Sequence, residues 1–304
     1  MGIAIFANAD EIRRNIVASL MRSITTCVSV DDSDRKEDEC RRPSARKFCV
    51  FITTSDRALD IFEIVYRNAE TIWRDCDWPR YVGLTTAHPD VYGFKVLAAK
   101  ATGSWRDEML DQFEQLPEEI EYLLRVDADA LFMAPIDGAK LNAIADLMVK
   151  QDLSYVRLVP VTRNFFGRVM EYFRHKIDKG PLRRISFSEP YYSSVELAIW
   201  KKGYFTKLLR DPGTQWEFEH AVTNEPHYAV WKPLVEQHQI VTRGKWNRNA
   251  PRFLARQGLS LANSTREFVS FKSWLRFYRE RISFEVAGFS SFRIRRRMNK
   301  ISRT

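Results

Sequence analysis

The chain has 304 residues, 45% of them hydrophobic and 13% aromatic, and a formal net charge of +9. This apolar content supports a large buried core, and no apolar run reaches the roughly 20 residues that a membrane-spanning helix requires. The opening MGIAIFANADEIRRN lacks a basic segment followed by a long apolar stretch, so no secretory leader is expected. The four cysteines, Cys27, Cys40, Cys49 and Cys76, include no C-x-x-C pair, which points to reduced thiols in a cytosol and away from a zinc or disulfide framework.

Residues 1–46 contain the charged stretch DDSDRKEDECRRPSARK and are expected to be flexible. Ile12, Ile16, Leu20 and Ile24 have the spacing of a short amphipathic helix before it. Regular structure is expected from Phe48, where FCVFITT has the apolar, β-branched character of a buried strand. Ser55 and Asp56 offer a cap for a helix over 57–73, whose apolar positions recur at helical spacing. YVGLTT (81–86) and FKVLAA (94–99) are expected strands. Ser104, with Asp107 three residues on, starts a helix through Leu116. YLLRVDADALF (122–132) is an apolar strand that turns polar at its end, and Asp137 caps a helix through Lys150. Beyond this, 154–160 and 193–202 are expected strands, 203–213 a helix, and 211–252 a loop-rich region lining a site. The alternation predicts an α/β fold with a mostly parallel central sheet flanked by helices. In such sheets ligands bind at the carboxyl ends of the strands. Three polar groups fall there: Thr53-Thr54-Ser55-Asp56, Thr85-Thr86 and Asp127-Ala128-Asp129.

D-x-D occurs three times, at Asp32/Asp34, Asp75/Asp77 and Asp127/Asp129. The first lies in the charged N-terminal stretch and the second in RDCDWP, a helix-to-strand turn, where aspartates are ordinary. The third is set between Tyr122–Val126 and Ala130–Phe132. Carboxylates flanked by buried strand are costly unless something pairs with them. A divalent cation is one partner, since Mg²⁺ takes one or two carboxylates together with substrate phosphates. Arg125, or capping of the next loop, is the alternative.

The segments SWRDEMLDQFEQL (104–116), EYLLRVDADALFMAPID (121–137), YVRLVP (155–160), ELAIWKKGYFTKLLR (196–210), TQWEFE (214–219) and VTRGKW (241–246) together resemble bacterial GT-A-like glycosyltransferases of surface polysaccharide synthesis. The resemblance implies a GT-A fold over 47–262, a nucleotide-sugar donor, and a Mn²⁺ or Mg²⁺ ion at the acidic motif. Members of that group often carry E-D-Y or D-D-F where this chain has D-A-D-A, a change that restores an ordinary D-x-D. The implied reaction moves a sugar from the nucleotide to a glycan or lipid-linked acceptor in polysaccharide biosynthesis. A transferase-like scaffold without catalysis and a nucleic-acid-binding protein are the competing readings, and no nucleic acid is expected as partner.

Roles follow from that reading. Asp129 is expected to contact the metal, with Asp127 acting on it through water or holding sugar hydroxyls. Thr53, Thr54 and Asp56 lie near the nucleotide, with a helix cap as the bland role of Asp56. Trp105 either shelters the donor or packs in the core. Glu219 or Glu217 takes the acceptor hydroxyl proton if the enzyme inverts configuration; extended backbone would put both on one face. Lys245, followed by Trp246, reaches the diphosphate or belongs to a solvated basic loop. His220 and His227 are more simply structural than ligating.

Charge is uneven. Residues 266–304 hold eleven Lys or Arg against three acids, a net +8 of the chain's +9. Phe268, Phe271, Trp274, Leu275, Phe277, Tyr278 and Ile282 interleave with those bases at near-helical spacing. The segment 263–304 is therefore expected to act as a basic amphipathic tail. It suits an anionic membrane surface, which would make the protein cytoplasmic and peripheral on the inner face of the membrane. A helix docked on the body with its arginines in solvent is the alternative.

Overall fold

The structure, a computed structural model, describes residues 47–86, 88–100, 103–160, 175, 180–187, 189, 191–211, 213–221, 223–261, 264–276 and 279. The expected N-terminal helix, the first D-x-D and the far end of the basic tail lie outside them, as do the side chains of Trp216 and His220. Among the described residues no helix is long and apolar enough to cross a membrane.

Chain order runs β1 (Phe48–Thr53), a 3₁₀ turn (Asp56–Ala58), α1 (Leu59–Tyr66), α2 (Ala69–Ile72), β2 (Arg80–Leu84) and β3 (Lys95–Ala98). It continues with α3 (Trp105–Glu114), β4 (Tyr122–Asp127), β5 (Ala130–Phe132), α4 (Gly138–Lys150), β6 (Tyr155–Arg157), β7 (Leu182–Arg184) and β8 (Ala198–Lys201). It ends with α5 (Lys202–Leu209), α6 (Gln215–His220), β9 (Tyr228–Val230), β10 (Gln237–Gln239), β11 (Val241–Thr242), β12 (Lys245–Trp246) and α7 (Ala250–Arg256). The central sheet has eight strands in the order β3-β2-β1-β4-β8-β6-β9-β7. β3, β2, β1 and β4 run parallel, β8 runs against both β4 and β6, β9 is parallel to β6, and β7 closes the edge antiparallel to β9. The α/β class and the largely parallel, helix-flanked sheet are as the sequence predicts.

Strand alternation divides the core between the two faces of the sheet. Phe48, Val50 and Ile52 of β1 join Tyr122, Leu124 and Val126 of β4 in one apolar layer, with Phe62, Tyr66 and Trp73 from the first helices. Cys49, Phe51 and Leu123 face the other way, into a layer with Met109 and Phe113 of α3, Phe205 of α5, Phe218 of α6, and Tyr155 and Trp200. Gly83 of β2 lets α3 approach: a methyl group there would lie 2.2 Å from the Gln112 amide, which itself donates to Leu84 O.

Several element boundaries differ from the sequence reading. The helix expected over 57–73 breaks into α1 and α2, and Asn68 at the break donates to Gln257 O at the end of α7. The strand expected over 122–132 breaks at Ala128-Asp129, because β5 leaves the sheet to pair with β10. Residues 215–220 are helical, so Glu217 and Glu219 project about 200° apart and not to one side.

Candidate functional site

β1, β2 and β4 are parallel neighbours, so their carboxyl ends meet at one edge. Thr53 is level with Gly83 on one side and Asp127 on the other. Asp56, just past β1, reaches across to the end of β2. Its carboxylate accepts from the Thr85 amide and hydroxyl (3.0 and 2.7 Å) and the Thr86 amide and hydroxyl (3.3 and 2.7 Å). Partial burial works against its charge, yet these four bonds together hold its pKa below the usual carboxylate value. Asp56 therefore clasps two strand ends, and Thr53 stays on the rim with its hydroxyl donating to Val126 O at 3.3 Å. Thr54 is half-buried beside it.

The Asp127-Ala128-Asp129 turn is fixed from three sides. Ala128 N donates to Thr53 O (3.2 Å), Ile240 N to Asp129 O (3.1 Å), and the Tyr66 hydroxyl to Asp127 O (3.1 Å). Ala128 is buried in the α1 layer, while Asp127 and Asp129 on either side of it stay partly exposed. Period-2 alternation from Leu123 places Arg125 and Asp127 on the face covered by α3, α5 and α6. Arg125, with a side chain only 2% exposed, forms an ion pair with Asp127 at 2.7 Å; the Asp127 side chain keeps 32% of its surface open. The other arm of the guanidinium donates to Val195 O. Burial is the main reason the Asp127 and Asp129 pKa values rise; Arg125 opposes it, and the neighbouring Asp127 charge helps push Asp129 up to about 7.

The facing wall is the segment leading into β8. Arg125, Tyr155 and Arg157 donate to the carbonyls of Val195, Ser194 and Tyr191 respectively, and Tyr191 has a left-handed backbone with φ 55°. Val195 N donates to the Glu219 carboxylate at 3.1 Å. Arg106 positions α6 from beneath. It donates to the carbonyls of Leu208 and Leu209 in the last turn of α5 and of Asp211 and Gly213 beyond it, and lies over the Phe218 ring at 5.5 Å. Glu219 and Arg125 therefore meet at one residue, Val195, one through its amide and the other through its carbonyl. Burial raises the Glu219 pKa, and the charges of Asp127 and Glu196 add to that.

Of the residues singled out from sequence, the fold gathers Thr53, Asp56, Asp127, Asp129 and Glu219 around these strand ends. Glu217 is turned away: it completes a capping box at the start of α6, accepting from Thr214 N at 2.7 Å. Trp105 starts α3 and meets Phe218 edge-on at 5.6 Å. Lys245, on the β11–β12 hairpin, pairs with Glu267 at 2.6 Å, and Trp246 is fully buried. His227 is buried, stacked on Tyr192, with its ring nitrogens against Tyr192 O and the Tyr204 hydroxyl. Sequence reasoning passed over Glu196, which accepts from the Gln237 amide at 3.2 Å and bears electrostatically on Asp127. Glu196 falls inside the strand expected over 193–202 and just ahead of the observed β8, so its place in the sequence gave no separate signal.

Among the described residues, no three His, Cys, Asp or Glu side chains converge as a ready-made metal cage. Asp129 and the oxygen of Asp127 that Arg125 leaves over form a two-carboxylate hard-donor set, which fits Mg²⁺ or Mn²⁺ completed by phosphate and water. A shallow cleft lined by Phe113, Lys202 and Arg210 lies at the opposite end of the sheet, since Lys201 is level with Tyr122 at the start of β4, and it contains none of these carboxylates.

No protein-family model matches the chain, and no curated protein does. Among solved structures it is similar to two crystal structures of residues 1–349 of Staphylococcus aureus TarS. One has 12% identity and a TM-score of 0.40, covering 62% of this chain and 59% of that one. The other, in complex with UDP-GlcNAc, has 14% identity and a TM-score of 0.42, covering 79% and 66%. The chain spans less than two thirds of the length of either. At this distance the likeness carries no argument, and the reading of the site rests on its own geometry.

Proposed function

We propose that the protein is a metal-dependent glycosyltransferase that moves a sugar from a nucleotide-sugar donor to a glycan or lipid-linked acceptor hydroxyl. The observation that carries this reading is the meeting of Asp127, Asp129 and Glu219 at the carboxyl edge of parallel β1, β2 and β4, across one buried arginine. Donor phosphates fit the Asp127-Ala128-Asp129 turn, and the base and ribose fit the shelf of Thr53 and Thr54 that Asp56 braces. A divalent cation bound there supplies the charge neutralisation that a departing diphosphate needs.

Asp129, which accepts from the Gln239 side chain and among the described residues forms no ion pair, is the first ligand, and Asp127 contributes one oxygen while Arg125 holds the other. Glu219 is the base: burial keeps its pKa above the ordinary glutamate value, nearer to what an acid–base group working at neutral pH requires. As the acceptor oxygen bonds to the anomeric carbon and the bond to the diphosphate breaks, Glu219 takes the acceptor's proton.

One observation favours a second reading. The Arg125–Asp127 pair satisfies Asp127 without any metal, as a transferase-like binding protein would require. Thermal unfolding with a panel of nucleotide sugars, with and without Mn²⁺, separates the two. The enzyme reading expects stabilisation that needs both components, about 2.7 kcal/mol at one hundred times Kd, and loses it in Asp129→Asn. Stabilisation by nucleotide sugar alone, unaffected by Asp129→Asn, supports the binding protein.

A further inference from the structure

Five large apolar side chains are exposed among the described residues, and three of them, Phe268, Phe271 and Leu275, fall within eight residues of one another (46, 59 and 46% exposed). Ser270 starts a helical turn over 271–276, accepting from Ser273 N at 3.2 Å, so Phe271 and Leu275 share a face one turn apart. Basic side chains surround that face. Arg248 lies over the Phe271 ring at 5.6 Å, and Lys272, Arg276 and Arg279 are exposed beside it.

This segment is fastened to the body. Arg266 forms an ion pair with Asp60 at 2.7 Å and donates to Arg57 O and Gly244 O. Val269 is buried and its amide donates to Trp246 O at 2.9 Å. Trp246 ends the β11–β12 hairpin, which follows directly from Ile240, the residue whose amide holds Asp129 O. The exposed face therefore has a fixed place a few residues from the candidate site.

We propose that Phe268, Phe271 and Leu275, with Arg248, Lys272 and Arg279, form an insertion face for an anionic lipid bilayer. Aromatic and aliphatic side chains ringed by bases match the boundary between acyl chains and acidic headgroups. Leu275 has no flat ring for a base to stack on, which disfavours single-stranded nucleic acid. Concentrated like charge on the same face disfavours a second copy. The inference stands apart from the transferase reading, because it uses none of the site carboxylates; if both hold, the surface brings a lipid-linked acceptor toward Glu219.

Co-sedimentation of the full chain with vesicles of phosphatidylcholine alone, or with phosphatidylglycerol added, tests it. Binding is expected only with the anionic lipid, and to weaken as salt rises from about 0.1 to 1 M. Phe271→Ser/Leu275→Ser removes side chains that are 59 and 46% exposed. It should lower the partition coefficient about tenfold for each residue while the chain stays folded, with its cooperative thermal unfolding retained. Lys272→Glu/Arg279→Glu should weaken the preference for anionic vesicles. A wild-type chain that stays in the supernatant, or an apolar double variant that sediments like wild type, overturns the proposal. So does a concentration-dependent dimer that the apolar variant abolishes, since a second copy would then be the occupant.

Discussion

Arg125→Met removes the guanidinium and keeps most of the stem that fills the space beneath the sheet edge. Two groups lose their partner: the Asp127 carboxylate at 2.7 Å and the Val195 carbonyl. Breaking a buried ion pair from one side costs about 3–5 kcal/mol. Asp127 belongs at the lower end, because about a third of its side chain still meets water. The unmade bond to Val195 adds about 1 kcal/mol. A total of about 4 kcal/mol should lower Tm by roughly 10 °C in a domain of this size. Urea unfolding followed by far-UV circular dichroism should show the midpoint falling with an unchanged m-value. The double variant Arg125→Met/Asp127→Asn leaves no uncompensated charge, so it should recover about half of the loss. A single variant within about 1 kcal/mol of wild type, or a double variant less stable than either single, would refute the account of Arg125 as the buried counter-charge.

Three further expectations follow from the same geometry. His227 is buried and its pKa is lowered by that burial to about 4 from an ordinary 6.5, so its contribution to stability is complete above pH 6.5 and lost as pH falls toward 4. Only the stretch from pH 6.5 to 4.5, about two units, falls inside the measured window and corresponds to about 2.5 kcal/mol, so His227→Gln should shrink the stability gap between pH 7 and pH 4.5 by about that amount; an unchanged gap would contradict it. Asp56→Ala removes the acceptor of four bonds and should cost about 2 kcal/mol, measurable as a lower urea midpoint, whereas a loss below about 0.5 kcal/mol would mean the clasp is idle. Glu219→Gln should lower turnover about 10²–10⁴-fold while leaving donor-induced thermal stabilisation intact; full turnover would remove Glu219 as the base.

The fold was legible where local pattern and long-range packing agree. β1 and α4 stand out as an apolar strand and a capped helix, and the structure places them close to the expected boundaries, with Asp137 accepting from Lys140 N; β4 starts at Tyr122 as expected and stops short at Asp127. The capped start of α3 was also readable, since Ser104 accepts from Asp107 N. Boundaries failed where a distant partner decides them. Nothing near Asn68 announces that Gln257, nearly two hundred residues on, will break the first helix, and nothing near Ala128 announces β10. The candidate site residues follow the same rule. Asp127 and Asp129 were recognisable from their apolar setting, but the competition of Arg125 for Asp127 depends on strand alternation and burial together. The separation of Glu217 from Glu219 depends on 215–220 being helix, which its capping box, Thr214 with Glu217, did signal. Glu196 was invisible as a site residue because only the antiparallel placement of β8 beside β4 brings it to the edge.

The central claim is that the Asp127-Ala128-Asp129 turn holds a divalent cation against donor phosphates. Anomalous diffraction from crystals soaked in UDP and Mn²⁺ tests it most directly. The account predicts a manganese peak within coordinating distance of Asp129, with nucleotide density along Thr53 and Thr54, and no peak in Asp129→Asn crystals. Nucleotide and manganese bound elsewhere, or a turn left to the Arg125–Asp127 pair alone, would contradict it.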